Sequence, residues 1–267
     1  MSDPFIALIT GASSGIGEAD ARRLAKEPNA HLILVARRED RLNQLANQLS
    51  SPATVIAADL TDQEAPARIR DAITQQHGGR LDLLVNNAGA AWRGTFADTG
   101  WENIERHMKL NFEAPVRLTE ALLPLLRTTA ETAGRAAIVN VASTAGRVSR
   151  PKSGSYSASK FALIGWSDGL YGEELEHGVH VGLVLPGFVA TEGFPAKELL
   201  SKPLTKRIVA KPELIAEAIV ETGLKGKAER YAPRFYWLAA ASRILVPAIV
   251  RKLTAGGALT TATASDD

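Results

Sequence analysis

The stretch FIALITGASSGIGEADARRLAK, residues 5–26, decides how this chain is read. Its first six residues, Phe5–Thr10, form a short apolar run without polar alternation, as in a strand covered on both faces of a parallel sheet. Gly11, Gly15 and Gly17 follow, spaced G-x-x-x-G-x-G. From Gly15 to Lys26 the apolar positions return with a helical period, which predicts a helix opening directly from the turn. Without side chains at the glycines, the backbone can turn tightly and approach a pyrophosphate. The helix start adds free N–H groups and the positive end of its dipole. Ser13 and Ser14 supply hydroxyls at the same place. The spacing differs from the G-x-G-x-x-G dinucleotide fingerprint, and a plain strand-to-helix turn using glycine for positive φ is the alternative.

The alternation continues along the chain. Strands are predicted at Phe5–Thr10, His31–Ala36, Thr54–Ala57, Leu81–Asn86, Ala136–Val141 and Val179–Leu185, with a short one near Arg230–Ala232. Helical periods fall at Gly15–Lys26, Arg38–Leu49, Gln63–Gln76, Trp101–Thr129, Ser155–His177 and Pro212–Thr222, and an amphipathic one at about 235–253. This order predicts an α/β class: one Rossmann-type, doubly wound domain over residues 1–255, with a parallel sheet of about seven strands. Residues 256–267, GGALTTATASDD, read as a frayed tail.

Composition narrows the function. The 267 residues carry 31 Lys and Arg against 29 Asp and Glu, a net charge of +2, so no basic arm points to nucleic acid. There is no cysteine, which removes disulfides, thiolate metal sites and cysteine nucleophiles and suits a cytoplasmic location. The N-terminus lacks the basic flank and length of a signal peptide. The stretch FYWLAAASRILVPAIV, broken by Arg243 and Pro247, falls short of a spanning helix. No His/Asp/Glu cluster has metal-ligand spacing, so no catalytic metal is expected.

Two further places carry chemistry. The second strand ends in LVARRED, where an acid would hold a ribose 2′-hydroxyl. Ala36 stands there instead, followed by Arg37 and Arg38. Guanidinium groups suit a 2′-phosphate, so NADP(H) is preferred over NAD(H). In SYSASK, Tyr156 precedes Lys160 by four residues and shares its helix face. As a surface contact the pair is worth only tenths of a kcal/mol; as a device it would acidify a phenol whose ordinary pKa is about 10.

With these placed, the chain resembles the short-chain dehydrogenase/reductase family from about Ile6 to Thr191. The resemblance rests on TGASSGIG at 10–17, ADL at 58–60, NNAG at 86–89, LNFEAP around Asn111, IVNVAS ending in Ser143, YSASK at 156–160 and PGFVAT at 186–191. It implies a catalytic set of Asn111, Ser143, Tyr156 and Lys160. It implies cofactor contacts from Gly11, Ser13, Ser14, Gly15, Ile16, Gly17, Arg37 and Arg38, and from Asp59 and Leu60 toward the adenine. Asn87, Ala88 and Gly89 would line the adenosine ribose; Tyr156, Lys160, Pro186, Gly187, Val189 and Thr191 would meet the nicotinamide end. Tyr156 would exchange a proton with the substrate oxygen while the nicotinamide exchanges hydride with carbon, and Asn111 would position a water beside Lys160. The resemblance thus implies an oxidoreductase acting on a carbonyl or alcohol. A 3-oxoacyl-thioester reductase and a non-catalytic NADP(H) sensor are the alternatives.

The C-terminal part departs from the family's glycine-rich ending. It could pack on its own or a partner subunit, as in a homodimer or homotetramer; lie on an acidic membrane surface; or border the substrate mouth. The segment from Phe188 to about Lys211 would form a lid, mixing apolar residues with cations, which suggests a hydrophobic substrate. Trp92 is read as pocket wall or core, and His107 as a surface or interface residue.

Overall fold

The computed structural model describes residues 3–192 and 208–255. Chain order is β1 (Phe5–Thr10), α1 (Gly15–Leu24), β2 (Ala30–Ala36), α2 (Glu39–Ala46), β3 (Ala53–Ala57), α3 (Ala65–His77) and β4 (Leu83–Asn86). Next come α4 (Phe96–Met108), α5 (Ala114–Ala133), β5 (Ala136–Val141), α6 (Gly154–Glu174), β6 (Val179–Pro186), and β7 (Phe188–Val189). The described chain ends with β8 (Val209–Ala210), α7 (Pro212–Gly223), β9 (Glu229–Ala232), α8 (Trp237–Leu245) and α9 (Pro247–Ala255).

Seven strands form one parallel sheet in the order β3-β2-β1-β4-β5-β6-β9, and β7 pairs with β8 in a small parallel ladder. This is the doubly wound, Rossmann-type sheet the alternation predicts. The two faces follow the two-residue period of a strand. Ala7 and Ile9 of β1 point into one apolar layer with Leu83 and Val85 of β4. Ile6 and Leu8 point into the other with Leu84, Ile69 and Leu118. Helices α1 and α7 cover the first layer, α3 and α5 the second.

Strand order reverses between β1 and β4, and ligands of such sheets bind beyond the strand ends at that crevice. Here the crevice is stitched by hydrogen bonds. Thr10 Oγ1 donates to Val85 O at 3.1 Å and accepts from the N–H groups of Asn87 and Ala88 at 2.9 and 3.0 Å. Asn87 Nδ2 donates to Thr10 O at 2.8 Å. Beneath them a buried polar chain runs from Asn86 Nδ2 to Thr119 and Asn140, and from Asn140 Nδ2 to Ser167. It pins α5 and α6 to the sheet under the site.

Two expectations about helices are corrected. The helix predicted over Trp101–Thr129 is instead α4, a π-helical turn at Lys109–Glu113, and α5. Asn111 sits in that turn with its side chain bonded elsewhere, as described below; π turns are wide by one residue per hydrogen bond and aim side chains out of helical register. The amphipathic helix expected at about 235–253 is two nine-residue helices after a short turn at Arg234–Tyr236. Pro247 has no N–H for the helical ladder, and Val246 before it leaves helical geometry at φ −133°, ψ 58°. The β7–β8 ladder was not foreseen, because two-residue strands carry no period. Most of the expected lid, residues 193–207, and the expected tail at 256–267 lie outside the described residues.

Candidate active site

The glycine turn makes a cradle. Gly11 and Gly15 hold φ of 67° and 59°, which suits glycine. A Cβ on Gly17 would strike the carbonyl oxygen of Gly11 and lie 2.7 Å from Asn87 Nδ2. Ser14 stands at the N-cap of α1 without a side-chain cap bond, so its hydroxyl does not cap the helix's first amides. Thr191 packs where a Gly15 side chain would be, its Cγ2 3.1 Å from that position. The PG loop and the glycine turn therefore meet over the cradle.

Arg38 reaches back to this turn. Its Nη2 donates to Ser14 Oγ at 2.8 Å and to Ser13 Oγ at 3.1 Å. Arg37 is exposed and acts at longer range on Asp59. Burial works to raise the Asp59 carboxyl, but the N–H and hydroxyl of Thr61, at 2.9 and 2.8 Å, with Arg37 beyond, hold it below the ordinary value. Leu60 and Val189 are buried, so contact with a ligand there is left to backbone atoms. Ile16 is half-buried against the first apolar layer. Pro186 accepts a hydrogen bond from Thr144 Oγ1 at 2.8 Å, and Gly187 N–H donates to Ala232 O at 3.0 Å. A side chain on Gly187 would collide with the ring of Tyr236. Cradle, uncapped helix start and serine hydroxyls fit a dinucleotide.

Asn111 and Lys160 meet beside Gly89. A Cβ there would lie 2.9 Å from Asn111 Oδ1 and 3.5 Å from Lys160 Nζ. Asn111 is fully buried and clamps one peptide unit pair: Ala90 N–H donates to its Oδ1 and its Nδ2 donates to Ala90 O, both 2.9 Å. Nδ2 also donates to Ser159 Oγ at 3.1 Å. Ser143 at the end of β5 accepts from Ala145 N–H at 3.1 Å and is hydrogen-bonded to the Tyr156 hydroxyl. The turn-capping reading and the active-site reading of Ser143 thus hold together.

The electrostatics differ from the expectation. Lys160 is buried, and its ammonium donates to Val141 O at 2.9 Å rather than to the phenol. Burial lowers its pKa to about 8. Tyr156 is half-buried, and burial pushes its phenol up. The Ser143 hydrogen bond and the charges of Arg93 and Arg150 pull it down without cancelling the rise. The tyrosine is thus not an acidified phenol, and the cations that oppose its burial are two arginines from loops.

Those arginines were missed in the sequence. Gly94 N–H donates to Lys152 O at 3.2 Å, which ties the loop of Arg93 to the loop of Arg150. The Arg150 guanidinium lies 4.6 Å from the centre of the Phe188 ring. Burial lowers the pKa of both arginines, and Arg93 lowers that of Arg150 further. Arg41 and Glu192, paired at 2.6 Å beside Arg38, were also missed. A single arginine in a loop looks like any solvated one. Trp92 packs edge-on to His107 at 4.9 Å, with the Arg106 guanidinium 3.8 Å from its ring centre. His107 is corrected: it is fully buried, not at a surface. Its Nε2 accepts from Trp92 N–H at 3.0 Å and its Nδ1 meets Asn103 O at 2.6 Å, which holds a neutral ring 6.1 Å from that of Tyr156.

A family model for short chain dehydrogenases matches residues 5–199. The ketoacyl reductase HetN of Nostoc is 34% identical over 216 residues, 80% of this chain and 73% of its own. A short-chain dehydrogenase from Streptomyces avermitilis superposes with a TM-score of 0.77 at 29% identity, covering 95% of this chain and 96% of that one. The RhlG/NADP active-site complex of Pseudomonas aeruginosa superposes with a TM-score of 0.75, also at 29% identity, over 84% of this chain and 93% of that one. The chain belongs to the short-chain dehydrogenase/reductase family of oxidoreductases.

Proposed function

We propose that the chain is an NADP(H)-dependent carbonyl reductase or alcohol dehydrogenase with Tyr156 as its proton donor and acceptor. The observation that carries this reading is the hydroxyl pair of Ser143 and Tyr156, with Tyr156 one helical turn before buried Lys160, whose ammonium lies beside Gly89 with Asn111. When bound, the nicotinamide supplies or accepts the hydride. Tyr156 gives its proton to the carbonyl oxygen in reduction and takes it from the alcohol in oxidation. Ser143 turns its hydroxyl to the same oxygen and stabilises the charge that develops there. Lys160, held near neutrality by burial, passes protons at neutral pH at low cost. Asn111 fixes the Ala90 peptide and hence the turn after β4; the second lone pair of its Oδ1 is suited to hold a water near Lys160. Arg38, with Arg37, reads the 2′-phosphate, a reading supported by the NADP complex of the RhlG neighbour.

A second reading, a 3-oxoacyl-thioester reductase, is favoured by the ketoacyl reductase relative and by the cations Arg93 and Arg150 near Tyr156. Assays of small ketones against acyl thioesters separate the two. A strong thioester preference in kcat/KM selects the second. Tyr156→Phe tests the shared mechanism. It should keep NADPH binding and lose most turnover; retained turnover sinks the assignment of the proton donor.

A further inference from the structure

We propose that α8 and α9 form an interfacial anchor that lies on an anionic lipid surface. The pair is largely exposed: Ala240 is the buried residue of α8, and α9 has none. Ile244 to Ile249, ILVPAI, is a run of six apolar residues that are all exposed. Ile244 and Leu245 at its tip are 77% and 78% exposed, and Leu253 one turn beyond Ile249 is 71%. The break at Pro247 puts this run at the apex between the helices. Soluble surfaces rarely carry so long an uninterrupted aliphatic stretch without something to cover it.

Charge says what covers it. From Arg230 to Ala255 there is no Asp or Glu, while Arg234, Arg243, Arg251 and Lys252 flank the apex on both sides. A second copy docked on the same stretch would set these cations against one another, with no acid of the stretch to meet them. A lipid surface of negative charge takes an apolar wedge with cations at its rim. The hydroxyls on the pair are already satisfied inside it: Ser242 donates to Ala239 O at 2.9 Å and Thr254 to Val250 O at 3.0 Å. They add nothing to the cost of burial in lipid. Trp237, exposed at the base of α8, is the residue type found at the headgroup level. Each nine-residue helix is about 14 Å long, under half the hydrocarbon thickness, so the pair rests in the interface and does not span it. Among the described residues no helix is long and apolar enough to cross a membrane.

The anchor begins at the wall of the candidate site. Tyr236, one residue before α8, donates to Ile208 O at 2.9 Å, accepts from Phe188 N–H at 3.4 Å and covers Gly187. Docking through α8 and α9 therefore brings the Tyr156 mouth to the lipid surface. The proposal concerns binding and does not depend on the reaction.

Co-sedimentation of the full chain with vesicles tests it, using phosphatidylcholine alone and phosphatidylcholine mixed with phosphatidylglycerol. The wild type should pellet with the anionic vesicles and stay in solution with the neutral ones. Arg251→Ser with Lys252→Ser should weaken binding by about tenfold or more. Leu245→Glu with Ile249→Glu should remove it without changing the circular dichroism spectrum. Absence of pelleting, equal pelleting on both vesicle types, or pelleting that the glutamates do not touch overturns the proposal. So does sedimentation velocity showing a stable dimer that the glutamates dissociate, since a second copy would then cover the apex.

Discussion

Arg41 and Glu192 close a two-pronged ion pair beside the cofactor cradle, Nη1 to Oε2 at 2.6 Å and Nη2 to Oε1 at 3.0 Å. The same carboxylate approaches Arg38 at 3.4 Å, and Arg38 is the guanidinium that rests on the two serine hydroxyls of the glycine turn. Glu192 thus sits against the cations proposed to read a 2′-phosphate. A phosphate arriving there meets a carboxylate already in place.

Glu192→Gln should therefore favour NADPH. The substitution keeps the shape and removes the competing charge, so the Kd for NADPH should fall by about threefold to tenfold while that for NADH barely moves. Arg38→Ala should do the reverse, raising the NADPH constant far more than the NADH one. Titration of the reduced nicotinamide's fluorescence measures both; parallel changes in the two cofactors defeat the phosphate assignment.

Arg150 should set where alcohol oxidation switches on. In the proposed mechanism oxidation needs the Tyr156 phenolate, which burial disfavours and the charges of Arg93 and Arg150 favour. Removing a nearby cation makes the phenolate harder to form. Arg150→Gln should move the acid limb of the oxidative kcat/KM profile to higher pH by about half a unit to one unit, and Arg150→Lys should restore it. A profile that stays in place would show that the charge of Arg150 does not act on the phenol.

The strands were legible because a doubly covered parallel sheet writes itself as plain apolar runs, and Ile6 to Ile9 serve both layers without a polar break. The glycine turn and the motif residues were legible because their spacing ties them to strand ends. The site's charges were not. Tyr156 and Lys160 share a helix face, but the lysine's stem carries its ammonium past the phenol to Val141. Which cation faces the tyrosine is decided by loops that meet through Gly94 and Lys152, some sixty residues apart, and no local period records that. His107 misled for a related reason: a polar ring with both nitrogens bonded to backbone is at ease in a core, and those partners cannot be seen in its neighbours.

Lys160 should cost the chain stability at neutral pH. Its folded pKa of about 8 lies below the ordinary lysine value of 10.5, so the folded chain binds fewer protons than the unfolded one between those values. Stability from this group therefore rises with pH across that window, and below about 8 the full penalty of a buried ammonium is present. Lys160→Met removes the penalty and also the bond to Val141 O. The net expectation is a gain of about 1–3 kcal/mol at pH 7 that fades toward pH 10, with activity lost. Denaturant unfolding at the two pH values checks it; a variant less stable at pH 7 contradicts it.

Asp20 on α1 offers the opposite titration. It is fully buried, neither carboxylate oxygen has a hydrogen-bond partner, and burial raises its pKa well above the usual carboxylate value despite the charge of Arg23. The folded chain holds the Asp20 proton where the unfolded chain has released it. Stability is therefore lost as pH rises from the ordinary carboxylate pKa through the raised one, and below the ordinary value the group contributes no pH dependence. Asp20→Ala adds no bulk, removes the unpaired carboxyl and puts the best helix former in its place. It should stabilise the chain by about 1–3 kcal/mol at neutral pH, and the gain should shrink as pH falls toward 4. Thermal unfolding of both proteins across pH 4 to 8 measures the gap. A gap that is independent of pH would mean the carboxyl finds a partner when it ionises, and a destabilised variant would mean its packing outweighs its desolvation.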